Sequence, residues 1–194
     1  MRLNTFQINN YGIILLATLM LTSCASSVQV NSNITQSEAF IDAFYSFDKV
    51  LLERLLVSSQ SSAPIILYYQ GWAEGGNYKI VERKVCEDMA PGMVSCSITV
   101  TDDPMQALGI DFNVTDTFNI TFLNKQITSV DTTSNDLQVY HDAGAWVMKE
   151  LPELITEPCR GFFDGGPTPA DCARAMTKGY TQFAASKDFP GALE

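Results

Sequence analysis

Phe118-Asn-Ile-Thr-Phe-Leu-Asn-Lys-Gln-Ile127 is the stretch that decides the fold class. Phe118, Ile120 and Phe122 alternate with Asn119, Thr121 and Leu123, a period of two that puts the apolar side chains on one face of a strand. Asn124-Lys125 then supplies a two-residue turn, and Ile127-Thr-Ser-Val-Asp-Thr132 returns beyond it, so the segment reads as a β-hairpin. Phe112 and Val114 extend the first strand upstream. Setting Leu123 opposite Gln126 puts Phe122 beside Ile127 and Phe118 beside Asp131.

A second hairpin precedes it. Val94, Cys96, Ile98 and Val100 alternate with polar residues, and residues 78–86 are the expected partner through the turn Met89-Ala-Pro-Gly92. With Cys86 opposite Cys96, Lys84 faces Ile98 and Glu82 faces Val100. Asp103-Pro104 to Gly109 reads as a connecting turn or short helix.

Helical spacing dominates outside the strands. Thr35-Gln36-Ser37-Glu38 matches a capping box, and Phe40, Phe44, Phe47, Leu51 and Leu55 continue as one stripe to about Leu56. The segment Pro64–Asn77 has a β-branched start. Ile65, Tyr68, Tyr69 and Trp72 nevertheless fall at helical intervals, and Gly75-Gly76-Asn77 is a helix stop. Residues 136–151 form a further helix, ended by Pro152. Thr168-Pro169-Ala170-Asp171 starts the last one. Two helices, four antiparallel strands and two helices make an α+β chain.

The amino terminus carries an address. Arg2 precedes an uncharged apolar run from Gly12 to Leu21, the layout of a secretory signal peptide and too short to span a bilayer. Leu21-Thr22-Ser23-Cys24 resembles the bacterial lipobox. That resemblance implies cleavage after Ser23, a diacylglycerol (and palmitate-type acylation) on Cys24, and a lipid anchor in the cell envelope. In a two-membrane source the expected position is the periplasmic face of the outer membrane, since Ala25 is not the aspartate of inner-membrane retention. Residues 1–23 are thus read as signal peptide, 24–34 as lipidated tether, 35–187 as one domain and 188–194 as a tail.

Cleavage leaves 171 residues and removes one of the 12 basic residues, giving a net charge of −11. Such acidity argues against nucleic acid and against docking on anionic headgroups, so the lipid is the expected membrane contact. Beyond Cys24, four cysteines remain, which allow three pairings. Proximity favours Cys86–Cys96 and Cys159–Cys172, and gaps of nine and twelve residues without a nearby histidine do not suit zinc. No metal or cofactor is expected. Neither G-x-S-x-G nor H-E-x-x-H occurs, and no Gly-rich phosphate loop follows a strand.

The order of these elements resembles the nuclear transport factor two-like superfamily, also called SnoaL-like. The features that carry it are the helix at 36–56, Tyr68-Tyr69-Gln70-Gly71-Trp72-Ala73 and the hairpin Phe118–Ile127, with the tail Gly165–Ala173 through Phe183–Ser186 like that of some bacterial members. The resemblance implies a curved antiparallel sheet packed on helices, a cone-shaped, cystatin-like fold with an internal pocket. The disulfides and the long, disulfide-stapled C-terminal helical extension depart from the general pattern. The superfamily holds enzymes, ligand binders and interaction modules, so fold alone does not choose among them.

Candidate site residues are the polar groups on apolar faces. Asp116 interrupts the Phe112–Phe122 register, and Asp131 falls on the same face under the expected pairing. Glu82 shares the face of Val100, or pairs with Lys84 at a fraying strand end. Ionised carboxylates there must be paired, hydrogen-bonded or at a polar cavity. Tyr69, Trp72 and Phe118 are candidate pocket walls, and otherwise core. His141 is the single histidine, a solvent-facing helical residue or a general base. The leading reading is a non-catalytic envelope domain that binds a small apolar ligand or acts as a scaffold. Its alternatives are a proton-transfer enzyme (isomerase, cyclase or hydratase type) using Asp116, Asp131 or His141, and an interaction module for another envelope protein.

Overall fold

In the computed structural model, which describes residues 32–161 and 170–191, the hairpin turns at Asn124 and Lys125 with φ of 51° and 64°. Both lie in the left-handed region that a two-residue hairpin turn requires. The turn joins β4 (Val114–Leu123) to β5 (Gln126–Ser134), with Leu123 opposite Gln126 and Phe122 opposite Ile127. The register then shifts. Thr121 faces Ser129, Phe118 faces Thr132, and Asp131 faces Asn119. Thr128 is the extra residue of a bulge, and its hydroxyl donates to the Thr121 carbonyl at 3.2 Å. This corrects the expected neighbours Phe118 and Asp131, because one inserted residue sends every later side chain to the other face. Asp131 is exposed.

The second hairpin also holds more irregularity than simple alternation suggests. Residues 78–86 do not form one strand but β1 (Lys79–Arg83), followed by β2 (Glu87–Ala90), and both pair with β3 (Met93–Thr101). The Cys86–Cys96 disulfide forms between them, with Cα atoms 4.4 Å apart. A shift between Ile80 and Glu82 sets Glu82 opposite Thr99 and Arg83 opposite Ile98, so Glu82 and Lys84 do not face Val100 and Ile98. Glu82 is exposed. Arg83 instead reaches α1 (Ser32–Tyr45) and binds the carboxylates of Glu38 and Asp42. Glu38 also accepts from the Cys86 amide at 2.8 Å. It is therefore a tie between helix and sheet, not the end of a capping box at Thr35, and residues 32–34 already belong to α1.

The open antiparallel sheet has the order β1-β3-β4-β5, with β2 off that path beside β3. Val94, Cys96, Ile98 and Val100 of β3 and Phe118, Ile120 and Phe122 of β4 are buried on its helix-covered face. Phe40 and Phe44 of α1 close on Phe118 edge-on, with ring centroids 5.7 and 4.9 Å away. The expected single helix to Leu56 is broken. Phe47 takes φ of 59°, Asp48 caps the Leu51 amide at 3.0 Å, and α2 (Lys49–Leu55) sets off anew. The carbonyls left at the end of α1 are satisfied by Gln70, a buried amide that donates to Ala43 and Phe44 at 3.1 and 3.3 Å.

Gln70 belongs to α3 (Ala63–Gly75), which stops as the sequence indicates. Asn77 is left-handed, Tyr78 N–H bonds the Ala73 carbonyl at 3.0 Å and Asn77 N–H the Glu74 carbonyl at 3.2 Å, a Schellman closure. The polar break before α3 covers the free edge of β5. Ser59 donates to the Ile127 carbonyl at 2.7 Å, and Ser62 accepts from the Val130 amide at 3.1 Å. Residues 103–107 are α4, capped by Asp102.

α5 (Gln138–Glu150), α6 (Pro152–Ile155) and α7 (Ala170–Ala184) complete the chain. Cys159 is bonded to Cys172 at the start of α7. The proposed helix start at Thr168-Pro169, the signal segment and Cys24 lie outside the described residues. Part of the expected tail packs on the domain: Phe189 meets Phe183 at 5.5 Å, and Asp188 accepts from the Trp146 indole at 3.0 Å. Among the described residues no helix is long and apolar enough to cross a membrane.

Two glycines let α7 come close. At Gly75 a Cβ would stand 2.2 Å from the Ala170 carbonyl oxygen, and at Gly179 one would stand 2.5 Å from Val147 Cγ2. Glycine within a helix ordinarily costs ~1 kcal/mol against alanine. Here contact outweighs propensity. Gly179→Ala is expected to destabilise the fold by about 1–3 kcal/mol, the range for overpacking, in urea denaturation, and adding Val147→Ala should recover part of the loss. A gain in stability from Gly179→Ala alone would contradict the α5–α7 packing.

Candidate functional site

The helices do not fill the space over the C-terminal half of β5 and the start of β4. A cavity of about 550 Å³ remains between the sheet, α3, α5, α7 and the Cys159–Cys172 disulfide. Its volume falls in the range of small-molecule sites, about 300–1,000 Å³. Aromatic side chains supply a large part of its wall: Phe44 from α1, Tyr68, Tyr69 and Trp72 from α3, Phe118 from β4, and Tyr140 and Tyr180 from α5 and α7.

Asp116 is the polar centre of that wall. It sits two residues before Phe118 on β4, so both side chains take the inward direction. Tyr45 donates its hydroxyl to Asp116 Oδ2 at 2.9 Å. Burial pushes the Asp116 carboxyl up to about 6. The Tyr45 hydrogen bond works the other way, and the nearby Asp136 charge adds to the rise. Tyr45 itself is held far above the ordinary phenol value, by burial first and then by the Asp116 charge.

A second acid lies behind this face. Asp102 is 1% exposed; its Oδ1 accepts from the Met105 amide at 2.7 Å, and its Oδ2 finds no hydrogen-bond partner among the described residues. Burial raises it to about 6, with Asp136 and Asp116 adding to the shift against the Met105 hydrogen bond. Asp136, between β5 and α5, lines the cavity. Tyr78, Tyr140 and Tyr180 all lie well above the phenol range, chiefly through burial and then through neighbouring negative or phenolic groups. Trp72 beside Tyr78 and Tyr140 beside Tyr180 work against the rise. The Tyr140 and Tyr180 rings meet edge-on at 5.3 Å.

Of the residues singled out in the sequence, Tyr69, Trp72, Asp116 and Phe118 line this cavity, and so does His141, which is exposed at its rim. Glu82 and Asp131 do not, for the register reasons above. The expected Asp116–Asp131 carboxylate pair is therefore absent, and Asp136 is the acid whose charge reaches Asp116. Asp136, Asp102, Tyr45, Tyr78, Tyr140 and Tyr180 escaped the sequence reading. Asp102 carried a usable signal, as the residue before Asp103-Pro104 in a cap position. Among the described residues no three His, Cys, Asp or Glu side chains gather in a way that could hold a metal ion.

Comparison with known proteins adds no relative: no family model, no curated protein and no solved structure matches this chain.

The raised Asp116 value has a definite sign for stability. The folded carboxyl holds its proton more tightly than the unfolded one, so the cost is absent below about pH 3.8 and fully present above about pH 6. Asn at 116 can still accept from Tyr45 without a charge to desolvate. Asp116→Asn is expected to stabilise the domain by roughly 1 kcal/mol at neutral pH, with the gain fading towards pH 4 in denaturation series. A loss of stability at neutral pH would show that the carboxylate is not buried at a cost.

Proposed function

We propose that the chain is a lipid-anchored cell-envelope protein whose domain, of nuclear transport factor two-like kind, holds a small molecule in the cavity beside Asp116. The cavity carries this reading. A void of about 550 Å³ lined by several aromatic rings, with two half-buried carboxylates and a few hydroxyls, has the make-up of a small-molecule site. Helices laid on an antiparallel sheet with a cavity between them support the cone-like, curved-sheet form. Membrane attachment rests on Arg2, the apolar run to Leu21 and the Ser23-Cys24 junction.

A proton-transfer enzyme is the second reading, favoured by one observation. A carboxyl at about pKa 6 is poised to give and take protons near neutral pH. The phenols of Tyr140 and Tyr180 on the cavity wall are held in their protonated form, so Asp116 is the group this reading uses.

Native mass spectrometry of the protein purified from membranes tests the main reading. The expected species is the chain from Cys24 onward with a covalent diacylglycerol mass, carrying a small molecule that leaves on collisional activation. Ala145→Trp, which places an indole at the cavity's exposed edge, should lose that molecule while keeping its melting temperature. An unlipidated chain, or a ligand-free spectrum identical for both proteins, would overturn the corresponding half of the proposal.

A further inference from the structure

Apart from His141, exposed at the rim, the ionisable groups of the cavity wall are acids and phenols. Asp116 and Asp136 contribute carboxylates, and among the described residues no lysine or arginine lines the space. The ion pairs of the described chain lie elsewhere, at Arg83 with Glu38 and Asp42 and on exposed helix surfaces. Among the described residues Asp116 thus has one side-chain hydrogen bond, from Tyr45, for a carboxylate with room to accept several. A half-buried carboxylate on an apolar wall without a cation beside it invites one.

The apolar wall favours the same kind of guest. Tyr68, Tyr69 and Trp72 of α3 and Tyr140 and Tyr180 of α5 and α7 all line the space, and aromatic rings attract a cation by their quadrupoles. An anion would meet two carboxylates, electron-rich rings and the field of a chain with net charge −10. A bare metal ion lacks a matching ligand set among the described residues. What remains is a cation spread over an organic body large enough to use the volume.

We propose that this cavity selects an organic cation, a protonated amine or quaternary ammonium on an apolar body, with the charged head at Asp116 and Asp136 and the body between the α3 and α5–α7 rings. The inference rests on the reading of the cavity as a ligand site and adds the class of ligand. The ammonium supplies the hydrogen-bond donors or positive field that Asp116 lacks, and the rings cover the remainder.

Three probes of one shape separate the possibilities: phenylbutylamine, phenylbutanol and phenylbutyrate, which differ in head charge. The full-length chain is placed in phosphatidylcholine nanodiscs with Trp146→Phe, leaving Trp72 of the two tryptophans to report from the cavity wall. Titrations run at about pH 7.5, where the amine is protonated and Asp116 ionised, with empty nanodiscs subtracted. The amine is expected to bind at least about tenfold more tightly than the alcohol, and the carboxylate more weakly than both. Asp116→Asn with Asp136→Asn should remove most of the amine's advantage and leave the alcohol's affinity in place, which also shows that the cavity is intact. Equal binding of the three, or preference for the carboxylate, would overturn charge selection and leave the ligand-holding reading standing. Binding of none of them would count against both. If the double variant does not fold, the order of the three probes on the parent protein still decides.

Discussion

Everything at the centre of this molecule depends on how α1 docks on β4. Two consecutive inward positions of one strand carry opposite demands. Phe118 needs dry, dense packing, and Asp116 needs polar company. Two consecutive residues at the end of α1 answer them: Phe44 closes on the Phe118 ring at 4.9 Å, and Tyr45 donates to Asp116 at 2.9 Å. The helix must stop there for both to work. The left-handed Phe47, the Asp48 cap of α2 and the Gln70 amide on the last carbonyls make that stop. The core therefore ends and the cavity begins within a single turn of helix.

The remaining wall is held open from outside. Gly75 and Gly179 let α7 press against α3 and α5, and the Cys159–Cys172 bond ties the incoming segment to the same helix. By the chain-entropy model a loop of this length contributes roughly 3 kcal/mol. Helices anchored so closely to one another have little freedom to sink onto the sheet, which leaves the space over Asp116 unfilled. On the far side, Arg83, Glu38 and the Cys86 amide bind α1 to the edge of the sheet. The cost of a buried charge at Asp116 is carried by this surrounding packing, a pattern expected where a site is kept ready for a partner.

Much of the architecture was legible in the chain. The alternation of Val94–Val100 and Phe118–Phe122, the Asn124-Lys125 turn, the α3 stop at Gly75-Gly76-Asn77 and both disulfides are local or near-local signals, and all of them are realised. What failed was register beyond the first irregularity. The bulge at Thr128 and the shift at Ile80–Glu82 have no strong sequence mark, yet each decides a face, so simple alternation points Asp131 and Glu82 inward while both lie outside. The α1–α2 break was hidden because Phe47 and Leu51 keep helical spacing across it. Asp116 was visible as a charge in an apolar register. Its partners Tyr45, Asp102 and Asp136 come from three other segments, and only tertiary structure brings them near.

The central claim is that Asp116 is a carboxylate kept at a cost inside an aromatic cavity. The most direct measurement is the titration of its side-chain carboxyl carbon by NMR, assigned against Asp116→Asn. A midpoint near 6 is expected, moving down when phenylbutylamine is present, because a bound cation favours the charged form. A midpoint near the ordinary aspartate value of about 3.9, unmoved by the amine, would place the carboxylate in open water and contradict the site described for this protein.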